Sequence, residues 1–178
     1  MAQVLNSVLG IFAHPKKVIT IDESKLENLD GKTAHILFAV AEAVLGENFL
    51  AKAPDFIAVI DDYLNFQRRS QREALTQALL VAESPAFNLL VAGKLRAFSH
   101  MSIKDRQNVL DKIRNSDRQL RRNIYAAFVN VSASTYYASP KVWPDIQYQG
   151  VSVDHPEILN VPPPPVPWRP NDPRPVEK

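Results

Sequence analysis

TAHILFAVAEAVL, residues 33–45, followed by Gly46, is the stretch that decides the fold class. Ile36, Leu37, Val40, Val44 and Leu45 recur at spacings of three and four, the period of an α-helix that turns one face to a core. Gly46 stands where a left-handed C-cap would end it. The same period repeats downstream. Pro54 and Asp55 open a segment in which Phe56, Ile60, Tyr63 and Leu64 share a face, with the Asp55 carboxylate placed to accept from a first-turn amide. Ser70 and Glu73 form a capping-box pattern ahead of Leu75, Leu79 and Leu80, read as a new helix rather than a bend. Ser84 and Pro85 pair an N-cap with a first-turn proline before Phe87, Leu90 and Val91, and Gly93 weakens that helix's end. Ser102 and Asp105 repeat the cap ahead of Ile103, Arg106, Val109, Leu110 and Ile113. A final helix, from Ser116 to Thr135, uses Leu120, Ile124, Ala127, Phe128 and Val131. Strand-like alternation with hairpin turns does not compete with these periods before Pro140. The expectation is an all-α fold, a bundle of about six short helices with short connections.

The flanks read differently. Val4, Val8, Leu9 and Phe12 fit one short amphipathic helix, while Val18 to Ile21 fit an extended segment. At the other end, 11 of the 14 prolines fall in residues 140–178, and Pro162 to Pro165 with Pro167 can neither donate backbone bonds nor enter a helix. The chain is therefore divided into a helical domain, 1–139, and an extended aromatic and proline-rich C-terminal arm, 140–178.

With 178 residues, 46% hydrophobic and 22% charged, the composition fits one core and argues against a two-domain enzyme or a wholly disordered chain. The absence of cysteine removes disulfides, thiolate nucleophiles, iron–sulfur clusters and cysteine zinc sites. His14, His35, His100 and His155 are scattered singly, without metal-ligand spacing. Dinucleotide, phosphate-loop and serine-hydrolase motifs are missing, and five glycines make a nucleotide-cradling loop hard to build. Asp61 and Asp62 are neighbours, point to different sides of a helix and are expected on the solvated surface. These readings predict no catalytic residues, no metal and no cofactor in this chain. Charge or proline interrupts every apolar run before bilayer length, so no membrane span is expected. Met1 to Phe12 lack a basic leader and a cleavage site, so no signal peptide is read and a cytoplasmic location is expected; co-export with a partner would place the chain in the periplasm.

Two features could carry binding. Residues 94–122 hold nine lysines and arginines against Asp105, Asp111 and Asp117, a local net of +6. Within them Arg114, Arg118 and Arg121 fall at i, i+4 and i+7, so they are expected to share a helix face able to fork onto carboxylates or phosphates. The readings left open are a solvated face, an acidic protein surface and nucleic acid, though a net charge of +2 does not by itself imply nucleic acid. The second feature is Tyr136, Tyr137, Pro140, Trp143, Pro144, Tyr148 and Gly150, with Trp168 further on, read as aromatic residues carried outside any regular element. Such residues are costly to expose, so they either fold back over the helical body or form an arm laid on a partner.

The order Phe98, Arg106, Leu110, Ser116, Arg121, then Tyr136-Tyr137, Pro140, Trp143-Pro144, Ile146, Tyr148 and Gly150 resembles the small-subunit (gamma) family of gluconate dehydrogenase and related flavin-dependent sugar and alcohol dehydrogenases. The likeness covers Phe98 to Gly150, and its closing coil is more specific than its helices. Family members commonly add a twin-arginine export signal, not seen here, and a glycine–proline after the closing tyrosine, where this chain has Gln149, Gly150 and Val151. The resemblance implies a helical, non-catalytic accessory subunit, part of a hetero-oligomer with a large flavoprotein of the glucose–methanol–choline class. FAD would sit in that partner. Tyr136, Tyr137, Trp143, Tyr148, Trp168, Arg114, Arg118 and Arg121 would be the partner-binding residues. The alternative is a stand-alone helical adaptor that binds an acidic protein or nucleic acid through the basic 94–122 face.

Overall fold

A computed structural model describes residues 21–148, and they are helical. Six α-helices follow one another: α1 Gly31–Leu45, α2 Phe56–Asn65, α3 Arg69–Glu83, α4 Pro85–Ala92, α5 Ile103–Arg114 and α6 Gln119–Ala138. Short 3-10 turns lie at Glu23–Lys25, Phe49–Ala51, Phe98–His100 and Trp143–Ile146, and no strand occurs among the described residues. The chain divides into two compact units, Met1–Val142 and Trp143–Lys178. The expected helix at Val4 to Phe12 and the polyproline run lie outside the described residues.

In the first unit α1 is the central element. Alanine, valine, leucine, isoleucine and phenylalanine surround it on all sides, and a helix apolar all round must itself be surrounded. It is: α2, α3, α5, α6 and the turn at Phe98–His100 all pack on it. Asp30 caps the helix by accepting from the Thr33 amide at 2.7 Å, and the helix opens at Gly31, two residues before the stretch read from Thr33. Gly46 ends it at φ 98°, a backbone conformation that strains any residue with a side chain. Phe38, Phe49 and Phe56 extend the core, with ring centroids 5.5 and 4.9 Å apart.

Sequence and structure agree on the helices and differ at several ends. Asp55 occupies the N-cap of α2, but its side chain caps no amide there. Helix α3 is indeed new, yet it opens at Arg69, so Ser70 lies inside it. Gln71 Oε1 accepts from the Arg68 N–H at 3.1 Å instead, and Glu73 pairs with Arg69 at 2.8 Å. Ser84 caps α4 as expected and turns the chain by 71° between α3 and α4. Gly93 adopts the left-handed conformation at its end. Ser102 Oγ accepts from the Asp105 amide at 3.2 Å to start α5. No single described helix is long and apolar enough to cross a membrane.

The largest shift concerns the last helix. It begins at Gln119 rather than Ser116, because Ser116 closes a turn: its Oγ accepts from the Arg118 amide and its carbonyl from Arg122 Nη1 at 2.6 Å. It continues past Thr135 to Ala138, so Tyr136 and Tyr137 are helical residues, not coil. It stops where it must, since Ser139 precedes Pro140 and is pushed to an extended conformation, ψ 123°. Ser139 Oγ then donates to the Lys52 carbonyl at 2.7 Å, tying the end of α6 to the turn before α2.

Candidate functional site

The residues singled out for partner binding do not form one patch by helix geometry. Arg114 is the last residue of α5, Arg118 the N-cap of α6 and Arg121 a residue of its first turn, so the three do not share a helix face. The break comes from Asn115, whose Nδ2 donates to the Asp111 carbonyl and carboxylate at 3.0 and 2.9 Å and so closes α5. Arg114 lies over the Tyr125 ring at 6.0 Å and Arg121 over the Phe87 ring at 5.8 Å, while Arg118 is exposed. The cations therefore join helices as well as facing water. The basic stretch is thinned further, because Lys94 pairs with Asp105 at 2.9 Å and Arg106 is buried.

The aromatic residues fall into two groups. In the last turns of α6, Tyr136 packs half-buried against the core, and Tyr137, 48% exposed, meets it edge-on at 5.5 Å. In the second unit, the 3-10 turn Trp143–Ile146 brings Trp143 and Tyr148 edge-to-face at 5.1 Å. The Tyr148 amide donates to the Trp143 carbonyl at 3.0 Å, and Gln147, at φ 55°, makes the reversal that closes this loop. The loop leaves Ile146 and Tyr148 exposed. Trp168 lies outside the described residues.

Three charged side chains that periodicity had placed among the helices turn out to be buried. Asp61 was expected on the surface and is 2% exposed; only Asp62 is solvated. The face of α2 that carries Ile57, Ile60 and Leu64 carries Asp61 inward as well, and its carboxylate accepts from the amides of Glu27, Asn28 and Leu29 at 2.7, 3.0 and 2.8 Å. Arg106 donates to the Ala39 carbonyl at 2.8 Å and pairs with Glu42, joining α5 to α1. Glu83, fully enclosed, accepts from the Ser99 amide at 2.9 Å and from Ser99 Oγ at 2.7 Å. Burial pushes the Glu83 carboxyl above its ordinary value, against the pull of the Ser99 bonds and of the His100 and Arg106 charges. Such a carboxylate has no face to offer a substrate, and all three groups serve as internal joints.

An open concavity lies elsewhere, between α6 and the α2–α3 pair. One hollow of about 340 Å³ is floored by Leu64, Leu75, Ala78, Ile124, Ala127 and Val131. A second, about 320 Å³, continues it past Tyr63 and Val131 to Thr135 and Ala138, and a third, about 180 Å³, reaches Ala53 and Pro140. Tyr63 and Leu120, which the apolar period placed inside, stand exposed along it at 50 and 72%, and Val59 is exposed as well at 42%. Leu90, read as part of the α4 stripe, and Leu95 are exposed too. Among the described residues no group of three or more histidine or acidic side chains is gathered as a metal site. Comparison of the chain with protein families, with curated proteins and with solved structures finds no match.

Proposed function

We propose that this chain is a non-catalytic accessory subunit that binds and stabilises a large FAD-dependent oxidoreductase of the glucose–methanol–choline class acting on a sugar or alcohol. The observation that carries the reading is the closing motif from Tyr136 to Tyr148. Its Trp143 and Tyr148 are preorganised against each other by a backbone-bonded turn, and Tyr137, Ile146 and Tyr148 keep exposed apolar surface. Aromatic anchors held rigid before binding lose little entropy on docking, which is the condition for an interface hot spot. The buried charges support the same reading, because each is consumed in holding helices together rather than in presenting chemistry. Substrate and FAD would then belong to the partner, in a hetero-oligomer.

Affinity purification from the native source, followed by an absorption spectrum, tests this directly: the eluate should carry flavin bands and a second, larger chain. In the reconstituted complex Trp143→Ala should weaken association about a hundredfold. A tryptophan buries on the order of 200 Å², worth a few kcal/mol at roughly 25 cal/mol per Å². A colourless eluate would overturn the proposal. Wild-type affinity of the Trp143 variant would remove the arm from the interface.

A further inference from the structure

We propose that the hollow where the last turn of α1 meets α5 and α6 binds a free aliphatic α-amino acid, with Arg114 and Asp111 taking its two charges and Val44, Leu110 and Val129 its side chain. This goes beyond the accessory-subunit reading and does not rest on it.

The hollow has a volume of about 350 Å³, at the small end of the range for small-molecule sites. Three helices that pack on one another build it. Gln107, Leu110, Asp111 and Arg114 fall at i, i+3, i+4 and i+7 of the uninterrupted helix α5, so they share a face. Tyr125 and Val129, four residues apart, line it from α6, and Val44 from α1.

Its polar groups are held in place without being saturated. Gln107 Nε2 donates to the Ala43 carbonyl at 3.3 Å and ties α5 to the end of α1. Asn115 Nδ2 donates to Asp111 Oδ1 at 2.9 Å, which fixes that carboxylate and leaves Oδ2 without a hydrogen bond among the described residues. The Arg114 guanidinium lies over the Tyr125 ring at 6.0 Å and has neither an ion pair nor a hydrogen bond among the described residues. One negative and one positive charge therefore line the same hollow, three residues apart on one helix, and do not neutralise each other.

That arrangement selects the ligand. A phosphate or a dicarboxylate would set like charge against Asp111, and a simple amine would do so against Arg114. A zwitterion satisfies both, because its carboxylate accepts from the Arg114 fork while its ammonium donates to Asp111 Oδ2. Leu110 is buried and Val44 and Val129 are half-buried, so the ligand's side chain meets aliphatic surface. Asp111 and Arg114 are the two charged side chains that line the hollow, and a charged ligand side chain would find no partner left.

Titrating the isotope-labelled full-length chain with L-leucine, L-valine and L-methionine, read by amide chemical shifts, tests this. At least one should bind saturably at submillimolar concentration and move the amides of Val44, Asp111, Arg114 and Val129. The N-acetyl form and the carboxamide of that amino acid, each lacking one charge, should bind about tenfold or more weakly. Arg114→Gln and Asp111→Asn should each weaken the parent amino acid by about the same factor with circular dichroism unchanged. Lys112→Gln, exposed on α5 and outside the hollow, should leave binding intact. No saturable binding, equal affinity for the N-acetyl or carboxamide form, or binding that survives both Arg114→Gln and Asp111→Asn would overturn the proposal.

Discussion

Replacing Asp61 by alanine removes one carboxylate on which three backbone amides converge, and the two neighbouring acidic residues make the consequence unusually easy to isolate. The Leu29 amide is fully buried and bonded at 2.8 Å; stranded there it costs about 1–3 kcal/mol. The Glu27 and Asn28 amides, bonded at 2.7 and 3.0 Å, are only partly buried and can recover water, so each loses about 0.5–1 kcal/mol. The expected total is about 2–5 kcal/mol, a fall in melting temperature of roughly 5–15 °C for a chain of this size. Asp61→Asn should lose about half as much, since its amide oxygen still accepts while its amide nitrogen faces donors. Asp62→Ala, one position on and exposed, should change stability by less than about 0.5 kcal/mol. Denaturant unfolding followed by circular dichroism measures all three, and amide exchange should show residues 27–29 losing protection in the Asp61 variants. An Asp61→Ala protein as stable as Asp62→Ala would refute the assignment of Asp61 as the joint between α2 and the entering chain.

Glu83 should make stability fall with rising pH. Burial raises its folded value above the ordinary 4.5, so its contribution is whole below that pH and is lost as pH climbs through the raised value. Glu83→Gln, which can keep both contacts with Ser99, should lack this decline when urea midpoints are compared from pH 4.5 to neutrality. Arg106→Ala should cost about 3–5 kcal/mol by leaving Glu42 unpaired in a largely buried site, and the double change Arg106→Met with Glu42→Gln should recover much of it in the same assay. Ser84→Ala should remove the α4 cap and lower unfolding free energy by about 1 kcal/mol.

Period alone made the helices legible. Six apolar stripes in the sequence correspond to six helices, and serine caps with prolines or glycines placed several of their ends. Where an end was misplaced, a local bond competed with the pattern: Ser116 closing a turn before α6, Gln71 capping α3 in place of Ser70. The tyrosine pair was misread for a related reason. The sequence pattern ends the helix at Thr135, but proline restrains only the residue before it, and Ser139 absorbs that restraint while Tyr136 and Tyr137 stay helical. The arginine spacing failed because i, i+4 and i+7 mean a shared face only on one uninterrupted helix, and Asn115 interrupts it.

The buried charges show a different limit. Asp61, Arg106 and Glu83 each sit on an apolar stripe, with Ile57 and Leu64, Val109 and Leu110, or Leu79 and Leu80 three or four residues away. From the sequence Asp61 is nevertheless expected on the surface and Glu83 does not stand out, because the partners that make burial tolerable lie 32, 67 and 16 residues away along the chain. What each one meets is backbone, hydroxyl or, for Arg106, also the Glu42 carboxylate of another segment, so a charge on a stripe in this protein acts as a clamp between elements distant in sequence. Clamps of this kind tie the helices to the segments around them. Asp61 holds the chain's entry against α2, and Arg106 holds α5 to the central α1 that also carries α6. Val59, Tyr63 and Leu120, which meet no such clamp, stay exposed on the helices around them.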